Sequence, residues 1–308
     1  LVMFGVITLV FVLFNILPGD PARMMLGQRA DEKSIETIHQ ELGLDKPLHH
    51  QYCKYIYDLS HFDLRRSYQS GKPVVDILKE AFPNTIYLAL LSIAIAFVLG
   101  VTLGALAAVF KDGWLEKIIL VVTSLGMSLP SFFAAILIAW VFAFLLADYT
   151  GLSMFGSLWS VDDFGEGEYL SLKNIILPAI TLGIRPLAVI TELTKSTMKE
   201  VLEQDYIRTA KAKGLSNFKI IYSHALRNTL NPIVSSISGW FASLIAGAVF
   251  VEYIFDWKGV GVVIVDSLEK YDFPVLMGAL IVICVILIII NVVTDIIYAL
   301  LDPRVRIK

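Results

Sequence analysis

The chain has 308 residues, of which 56% are hydrophobic and only 17% are charged, and its mean hydropathy is +0.72. Because about a quarter of the residues in a soluble domain carry charge, this composition excludes an ordinary water-soluble protein and predicts an all-α, polytopic membrane protein. The net charge of −3 argues against a nucleic-acid-binding surface.

Six apolar stretches are long enough, or nearly long enough, to cross the membrane, since a helix needs about 20 residues to span the hydrocarbon layer. The first stretch is short and lacks a small-residue cleavage site, so it is interpreted as a retained membrane helix rather than a signal peptide. The fourth is the weakest because it carries Arg185 and Pro186. The predicted spans are residues 1–17, 86–110, 118–146, 175–193, 233–255 and 275–301.

These spans divide the chain into a first transmembrane helix (1–17), an extracytoplasmic segment (18–85) and a core with five transmembrane helices (86–308). Short apolar stripes in the extracytoplasmic segment predict helices, and Gly43 is a suitable helix stop. We expect these helices to form a small cap over the membrane portion; the alternative is a solvated loop without a role. The predicted cap helices are residues 32–42, 47–59 and 73–81.

Basic residues in short loops mark the cytoplasmic side of a membrane protein. The loop 194–231 and the C-terminal tail are rich in them, whereas residues 148–173 are mainly acidic. Both termini and the loop 194–231 are therefore predicted to be cytoplasmic, which agrees with an even number of spans. The basic residues are Lys195, Lys199, Arg208, Lys211, Lys213, Lys219 and Arg227 in the loop and Arg304, Arg306 and Lys308 in the tail.

Within the spans, three features go beyond simple hydrophobicity. Gly100 and Gly104 have the spacing G-x-x-x-G, which permits close packing of helices. Pro130 removes a backbone hydrogen bond and is expected to kink the third span. The fifth span is rich in small and polar residues, which indicates an interface or a water-lined cavity. These residues are Ser235, Ser236, Ser238, Gly239, Ser243 and Gly247.

The stretch Glu203–Pro232 is a polar, basic interruption of this apolar sequence. Its pattern predicts two short amphipathic helices broken at Gly214, which suits a left-handed helix stop. Ser216 is the predicted N-cap of the second helix, with Asn217 as the competing cap, and Pro232 is expected to open another segment. A helix pair that merely lies on the membrane surface is the alternative.

Each of these two helices has a predicted apolar face. In the first helix the residues that share a face are Tyr206, Ala210 and Lys213, with Ile207 at its edge. In the second helix the apolar stripe consists of Phe218, Ile221, Tyr222 and Ala225.

The same stretch resembles the cytoplasmic loop of ABC importer permeases, whose general pattern is E-A-A-x3-G-x9-I-x-L-P. Ala210, Gly214 and Leu226 keep the letters of that pattern. The string D-Y-I-R-T-A-K-A-K-G-L-S, followed by H-A-L-R-N, is long and specific, and it resembles the dipeptide/oligopeptide/nickel branch of the family. The departures from the general pattern that favour this branch are at Arg208, Thr209 and Arg227.

Further strings resemble the same branch, so the resemblance extends from Phe14 to Arg304. The chain departs from the branch at Arg65, where glycine is frequent, and at Lys258, where proline is common; the turn at Arg65 is therefore expected to differ. The matching strings are F-N-x-x-P-G-D-P at 14–21, D-L-R-R-S at 63–67, V-E-Y-I-F at 251–255, Y-D-F-P at 271–274 and L-D-P-R at 301–304.

The resemblance implies a transport subunit that forms half of a translocation pathway for di- or oligopeptides in a bacterial or archaeal inner membrane. The implied partners are a second homologous permease, two cytoplasmic ATPase subunits, an extracytoplasmic substrate-binding protein and membrane lipid, with no nucleic acid. No cofactor or metal is expected in this chain, because the ATPase subunits would bind ATP and Mg²⁺.

The helix pair around Gly214 is expected to couple the chain to one ATPase. Ile207, Ala210 and Leu215 would supply the buried contact with that partner, and nearby cations would orient it. The predicted coupling residues are Tyr206, Ile207, Arg208, Thr209, Ala210, Lys211, Lys213, Gly214 and Leu215. The predicted pathway residues are Arg185, Ser235, Ser238 and Ser243.

Arg185 is the most informative residue within a predicted span. Counted from Ile175 at about 1.5 Å per residue, it lies near the middle of the bilayer. A charge there costs at least about 2.5 kcal/mol unless it faces protein or water. One interpretation is that Arg185 lines the pathway and meets the carboxylate or backbone of a peptide. The others are a structural ion pair with a neighbouring helix, or a different register of the fourth span.

Several catalytic signatures are missing from the sequence. No G-x-x-x-x-G-K-[S/T] occurs, so ATP binding by a P-loop is not expected, and the chain is predicted not to be an enzyme. Neither H-E-x-x-H nor G-x-S-x-G is present, and Cys53 and Cys284 form no C-x-x-C pair. The energy for transport would therefore come from another subunit.

Three alternatives remain open at this point. Nickel or a nickel chelate is the competing substrate within the branch. A secondary transporter would need intramembrane carboxylates or inverted repeats, and neither is clear in the sequence. A membrane anchor or scaffold would explain the helix pair, but it would not explain Arg185 or the small polar residues of the fifth span.

Overall fold

The computed structural model describes residues 2–16, 31–161 and 168–301, and most of them are helical, as the composition predicts. The first helices are α1 (Val2–Ile16), α2 (Glu32–Leu42), α3 (Leu48–Ser60) and α4 (Val74–Val109). They are followed by α5 (Trp114–Ser128), α6 (Ser131–Ile138), the π-helix π1 (Ala139–Leu145) and α7 (Ala147–Thr150). The later helices are α8 (Lys173–Leu202), α9 (Asp205–Ala212), α10 (Asn217–Lys219), the π-helix π2 (Ile220–Leu226), α11 (Arg227–Ile254), α12 (Val260–Glu269) and α13 (Phe273–Leu301).

A short hairpin precedes α8 and was not predicted from the sequence. Its strands β1 (Trp159–Val161) and β2 (Glu168–Leu170) pair antiparallel, with Trp159 opposite Leu170.

The chain forms two compact units. Unit 1 comprises Leu1–Thr85 and Lys258–Ile289, and unit 2 comprises Ile86–Trp257 and Ile290–Lys308. The boundary at Thr85 coincides with the predicted start of the core, whereas the stretch from Lys258 groups with the N-terminal part. These compact units do not test the predicted division into a first transmembrane helix, an extracytoplasmic segment and a core, which stays a prediction about membrane topology.

Fewer helices than the six predicted spans are long and apolar enough to cross a membrane. Among the described residues there are four such helices, and a fifth span is possible if α5 and the helix after it count as one. The helix α1 is apolar but shorter than this criterion requires. The four long segments are Val74–Val109, Lys173–Leu202, Pro232–Ile254 and Phe273–Thr294.

The third predicted span is broken rather than kinked. α5 and the segment Ser131–Leu145 meet at an angle of 114°. Leu129 and Pro130 between them have extended backbones, with ψ of 132° and 140°. A residue that precedes proline is disfavoured in the helical region, so α5 ends there and Pro130 caps the next helix. The expected single kinked span is therefore corrected to two helices.

The third predicted cap helix is not a separate element. It is the first part of α4, which continues through Pro83 into the second predicted span. The polar residues after this proline form hydrogen bonds with a distant part of the chain. Thr85 accepts the backbone N–H of Val260 at 2.9 Å, and Asn84 donates to the Lys258 carbonyl at 2.8 Å.

The first two cap helices are confirmed as α2 and α3. α2 ends at Gly43, whose φ of +71° makes it the left-handed stop that the sequence predicts. α3 packs against α1 within unit 1: the Phe11 ring lies 5.1 Å from that of Tyr52 and 5.7 Å from that of Tyr55.

In unit 2, α4 and α8 pack closely because glycine removes the side chain where they touch. A Cβ at Gly100 would lie 2.8 Å from the Cγ2 atom of Ile190. A Cβ at Gly104 would lie 2.5 Å from both the Thr191 carbonyl oxygen and the Thr194 Cβ. The close helix approach predicted from the spacing of these glycines is confirmed, and it occurs within the chain.

Replacing Gly104 by valine is expected to lower the free energy of unfolding by about 1–3 kcal/mol, because the new side chain has no space against the α8 backbone. The measurement is the melting temperature of the protein purified in detergent. Gly247→Val in α11 is the matched control, since nothing lies within 4 Å of a Cβ at that position. Equal melting temperatures for the two variants would contradict the tight packing of α4 on α8.

Candidate functional site

The helix α9 ends at Gly214 in a geometry that favours glycine. Its φ is +76°, its N–H donates to the Lys211 carbonyl at 2.9 Å, and the next N–H, of Leu215, donates to the Ala210 carbonyl at 3.3 Å. These two bonds form a Schellman motif, which satisfies the last carbonyls of the helix. The helix stop predicted at Gly214 is therefore confirmed.

The second helix of the segment starts as predicted but does not end as predicted. The Ser216 hydroxyl accepts the N–H of Lys219 at 3.4 Å, which confirms Ser216 as the N-cap. The helix then continues through π2 into α11, and Pro232 lies inside α11. The prediction that Pro232 opens a new segment is therefore wrong: α11 continues through this proline, although it removes one backbone hydrogen bond of the helix.

The predicted apolar stripe of this second helix is also partly wrong. Phe218 and Tyr222 are 78% and 65% exposed, whereas Ile220 and Ala225 are buried. Both buried residues lie in π2, where hydrogen bonds join residues five positions apart and each turn holds more residues than the α-helical turn that the prediction assumed. A sequence pattern read at 3.6 residues per turn therefore assigns the wrong face here.

One buried cluster, which we call the inner cluster, fixes the helices α9, α10 and π2 to the ends of α4 and α8; we call these three helices (residues 205–226) the coupling segment, after their predicted role. Ile207 is fully buried in it, which stabilises the segment by roughly 1.5–3 kcal/mol. Leu215 packs against the same cluster. The inner cluster consists of Ala108, Met198, Ile207, Ala210, Ile220 and Ala225.

The burial of Ile207 and Ala210 corrects one part of the sequence interpretation. Both were expected to supply contact with a partner, but they already contact apolar residues of their own chain. They therefore orient the segment from within, and contact with a partner requires other side chains.

Aromatic rings and cations form the exposed side of the same segment. Phe218 and Tyr222, which we call the aromatic pair, are stacked with ring centroids 6.0 Å apart and an interplanar angle of 3°. Tyr206 is 42% exposed, and its hydroxyl accepts a hydrogen bond from Asn228 at 2.8 Å. Large exposed apolar side chains beside polar ones are typical of interaction sites. The remaining exposed residues of the predicted coupling set are Arg208, Thr209, Lys211, Lys213 and Gly214.

An ion pair that the sequence did not suggest holds the connection between α4 and α5. Glu116 receives the Lys195 ammonium at 2.5 Å and the Asp112 backbone N–H at 2.6 Å. Lys195 belongs to α8, one turn before Met198 of the inner cluster. The start of α5 is thus fixed to the same end of α8 as the coupling segment.

Arg185 and Glu192 occupy one face of α8, and both are exposed. Neither forms a hydrogen bond or an ion pair with any residue in the part of the chain that the structure describes. Because α8 is a candidate span, each charge in the hydrocarbon would cost at least about 2.5 kcal/mol. The charged side chains on this face of α8 therefore need contact with water, with substrate or with another subunit. Glu192 was missed by the sequence reasoning, although its seven-residue spacing from Arg185 was visible.

The other predicted pathway residues lie on α11. Ser243 is exposed, as are Gly239 and Gly247, one helical turn to either side of it. The side chains of Ser235 and Ser238 fall outside the described residues. A role for these serines in a pathway therefore stays a prediction.

The large groove between α5 and α8 has a different character. Its volume is about 530 Å³, and its walls include Val122, Leu125, Ile184 and Leu187. The hydroxyl of Thr123 in this wall donates to the Ile119 carbonyl at 2.9 Å. A charged substrate would lose hydration there without gaining hydrogen bonds, so this groove does not suit one.

In unit 1, two motifs that are about 200 residues apart in the sequence meet at Asp272. Its carboxylate accepts the Ser67 hydroxyl at 2.5 Å and the backbone N–H groups of Tyr68 and Gln69 at 3.0 and 3.4 Å. Asp272 is buried and lies directly before α13. It therefore fixes the 63–71 loop to the start of the last span.

Arg65 in the same loop has a φ of +65°, the left-handed conformation in which glycine is favoured. Its guanidinium donates to Asp58 from Nε at 3.1 Å and from Nη2 at 2.9 Å, which offsets part of the backbone strain. Burial raises the pKa of the neighbouring Tyr55 and Tyr68 hydroxyls, and the positive charge of Arg65 reduces that rise.

Asp272→Asn is expected to destabilise the 63–71 loop by about 1–3 kcal/mol, because an amide nitrogen cannot accept the hydrogen bonds that a carboxylate oxygen accepts. Limited proteolysis of the loop measures the effect. The matched control is Asp266→Asn, whose ion pair with Lys270 is exposed and should contribute little. If both variants resist proteolysis equally, Asp272 does not organise the loop.

Known proteins resemble the chain over almost its full length. Residues 1–89 match the N-terminal part of binding-protein-dependent transport system membrane components, and residues 100–307 match the binding-protein-dependent transport system inner membrane component. Similar proteins include the probable D,D-dipeptide transport system permease protein DdpB and the glutathione transport system permease protein GsiC of Escherichia coli (strain K12), each 35% identical. A putative peptide transport system permease protein of Brucella abortus (strain 2308) is 38% identical. Each match covers 99% of this chain and 94–95% of the relative.

The fold is similar to that of solved ABC transporter chains. A chain of the inward-facing MetNI methionine ABC transporter has a TM-score of 0.57 and 15% identity, and the match covers 74% of this chain and 97% of that one. A chain of an amino acid ABC transporter with histidines has a TM-score of 0.51 and 11% identity, with 75% and 95% covered. The chain belongs to the family of binding-protein-dependent transport system inner membrane components, the multi-pass permease subunits of ABC importers.

Proposed function

We propose that this permease forms half of the translocation pathway of an ATP-driven importer for di- and oligopeptides. The observation that carries the substrate class is the similarity over 99% of the chain to relatives named for D,D-dipeptide, glutathione and peptide transport. None of these three names refers to nickel, so peptide is favoured over nickel as the substrate.

The coupling segment is proposed to dock on a cytoplasmic ATPase through its exposed side. The aromatic pair offers apolar area that the chain itself leaves uncovered, and the same segment carries exposed cations. The inner cluster joins this docking surface to the ends of α4 and α8, so a displacement of the surface moves both helices. Packed elements move as rigid bodies, and such motion would open and close the pathway.

The remaining partners follow from the same proposal. Two ATPase subunits would bind ATP and Mg²⁺, a second permease would complete the pathway, and an extracytoplasmic binding protein would deliver the peptide. The coupling segment and both termini would then face the cytoplasm, in agreement with the basic residues of these regions.

Co-purification and transport test this function together. A tagged form of the chain should recover a second permease and two ATPases in one particle, and vesicles that contain this particle and the binding protein should accumulate labelled dipeptides when ATP is present. Nickel uptake that exceeds peptide uptake would overturn the substrate class. A particle without ATPases would overturn the importer mechanism.

Replacing both Phe218 and Tyr222 by alanine is expected to lower ATP-driven uptake at least ten-fold, because the docking surface loses its main apolar area. Recovery of the ATPases with the tagged chain should fall in parallel, and membrane insertion should remain. The matched control is Phe110→Ala, an exposed aromatic residue outside the segment. Normal uptake by the double variant would show that the aromatic pair is not the docking surface.

Gly214→Val is expected to separate ATP hydrolysis from uptake. A β-branched residue at a φ of +76° is strained by roughly 1–2 kcal/mol, although the space beside it is open. The turn should relax to another conformation and shift the aromatic pair, so ATPase activity should persist while uptake falls. Gly71→Val is the control for strain alone, since Gly71 has a similar φ of +68° in unit 1. Normal uptake by Gly214→Val would refute a pivotal role for this glycine.

A further inference from the structure

The charged face of α8 continues beyond Arg185 and Glu192. The two residues are seven positions apart, which is nearly two full helical turns, so their side chains share a face with a separation of about 10.5 Å along the axis. Ser196 and Lys199 continue the same exposed face toward the end of α8. We call these four residues the α8 stripe.

The opposite side of α8 is fully occupied by the chain itself. Ile190, Thr191 and Thr194 are buried, and the last two face Gly104 of α4. The Thr191 and Thr194 hydroxyls are also used, because they donate to carbonyl groups one turn earlier in α8. The stripe is thus the polar side of α8 that remains open to a ligand.

The stripe places a cation and an anion where a candidate span would otherwise be apolar. Arg185 presents a planar guanidinium that matches a carboxylate, and Glu192 presents an acceptor for an ammonium group. A small peptide with free termini carries an α-ammonium group at one end and an α-carboxylate at the other. An extended residue spans about 3.3–3.6 Å, so a tripeptide covers roughly 10 Å and a dipeptide roughly 7 Å. Both lengths lie within reach of the two flexible side chains.

Building on the proposed function, we propose that Arg185 and Glu192 bind the two charged ends of a peptide in transit. Arg185 takes the α-carboxylate and Glu192 takes the α-ammonium. The peptide then lies along α8 with its amino end toward Lys195. Both side chains are exposed, so water competes with the contacts and the peptide is held weakly enough to leave.

The test uses the complete complex with its ATPases and binding protein in vesicles, after Cys53→Ser and Cys284→Ser remove the native thiols of this chain. This parent complex, treated with the same reagents, is the control for thiols of the other subunits. Arg185→Cys and Glu192→Cys are then each treated with one of two thiosulfonate reagents. One reagent adds a quaternary ammonium to the thiol, and the other adds a sulfonate. The substrate is labelled trialanine, and the readouts are its uptake and the rate at which each thiol reacts.

We expect R185C to take up trialanine at least ten-fold more slowly than the parent complex. The cationic reagent should raise the uptake by this variant several-fold, and the anionic reagent should not. For E192C the anionic reagent should restore uptake and the cationic one should not. Trialanine should also slow the reaction of both thiols at least two-fold during turnover, because the peptide covers them. Lys117→Cys is the control, because it replaces an exposed cation of α5 that lies outside the stripe, and its uptake should respond to neither charge.

Two results would overturn the inference. The first is uptake that is the same after either reagent, because the charge at these positions would then not matter for transport. Thiols that do not react at all would count equally, because the stripe would then not face water. The second is charge-dependent recovery without protection by trialanine, which is the behaviour of an ion pair with the second permease. Absence of trialanine uptake by the parent complex would instead overturn the proposed function, while the reaction rates of the thiols still report whether the stripe faces water.

Discussion

Ile207 is completely buried in one cluster with Ala108 and Met198, so α9 cannot move without the ends of α4 and α8. The rest of the coupling surface depends on this contact. Ile220 and Ala225 of the π-helix π2 belong to the same cluster. Because these side chains are buried, the rings of the aromatic pair remain exposed. A short helix such as α9 is marginal on its own, and this packing stabilises it.

The two helices that hold the cluster are themselves tightly joined. At Gly104 the α4 backbone meets α8 with no room for a Cβ atom, and the ion pair between Glu116 and Lys195 brings in the start of α5. Close-packed interiors have low compressibility and transmit displacement rather than absorb it. On the proposed function, a shift of the segment that carries the aromatic pair would therefore reach α4 and α8 as a rigid-body movement.

The sequence predicts the features that depend on one residue and its neighbours. Gly214, Ser216 and Gly43 have the predicted conformations because their chemistry is local: a left-handed φ needs glycine, and a cap needs a short hydroxyl. The class of the fold and most long helices follow from hydrophobicity in the same way. The family resemblance adds the role of the segment around Gly214, which no local rule supplies.

Other features could not be predicted because they depend on tertiary structure. Proline interrupts the helix at residue 130 but not at 83 or 232, so the presence of proline alone does not predict where a helix ends. The face that carries Tyr222 depends on the π-helix π2, whose hydrogen bonds join residues five positions apart instead of four. Asp272 and Ser67 are far apart in the sequence, so nothing local indicates their hydrogen bond.

The position of Pro186 connects the coupling segment to the charged face of α8. Proline removes the backbone hydrogen bond to the residue four positions earlier, so Pro186 gives α8 a point at which it can bend, as does Pro178 nearer its start. Arg185 lies within the turn that Pro186 loosens, and Glu192 and Met198 follow it. If the proposed ATPase moved the inner cluster together with the coupling segment, bending at Pro186 would change the distance between Glu192 and Arg185. A site that binds a peptide by both ends would then hold it less tightly in one of the two positions, which would link release of the peptide to the movement of the ATPase.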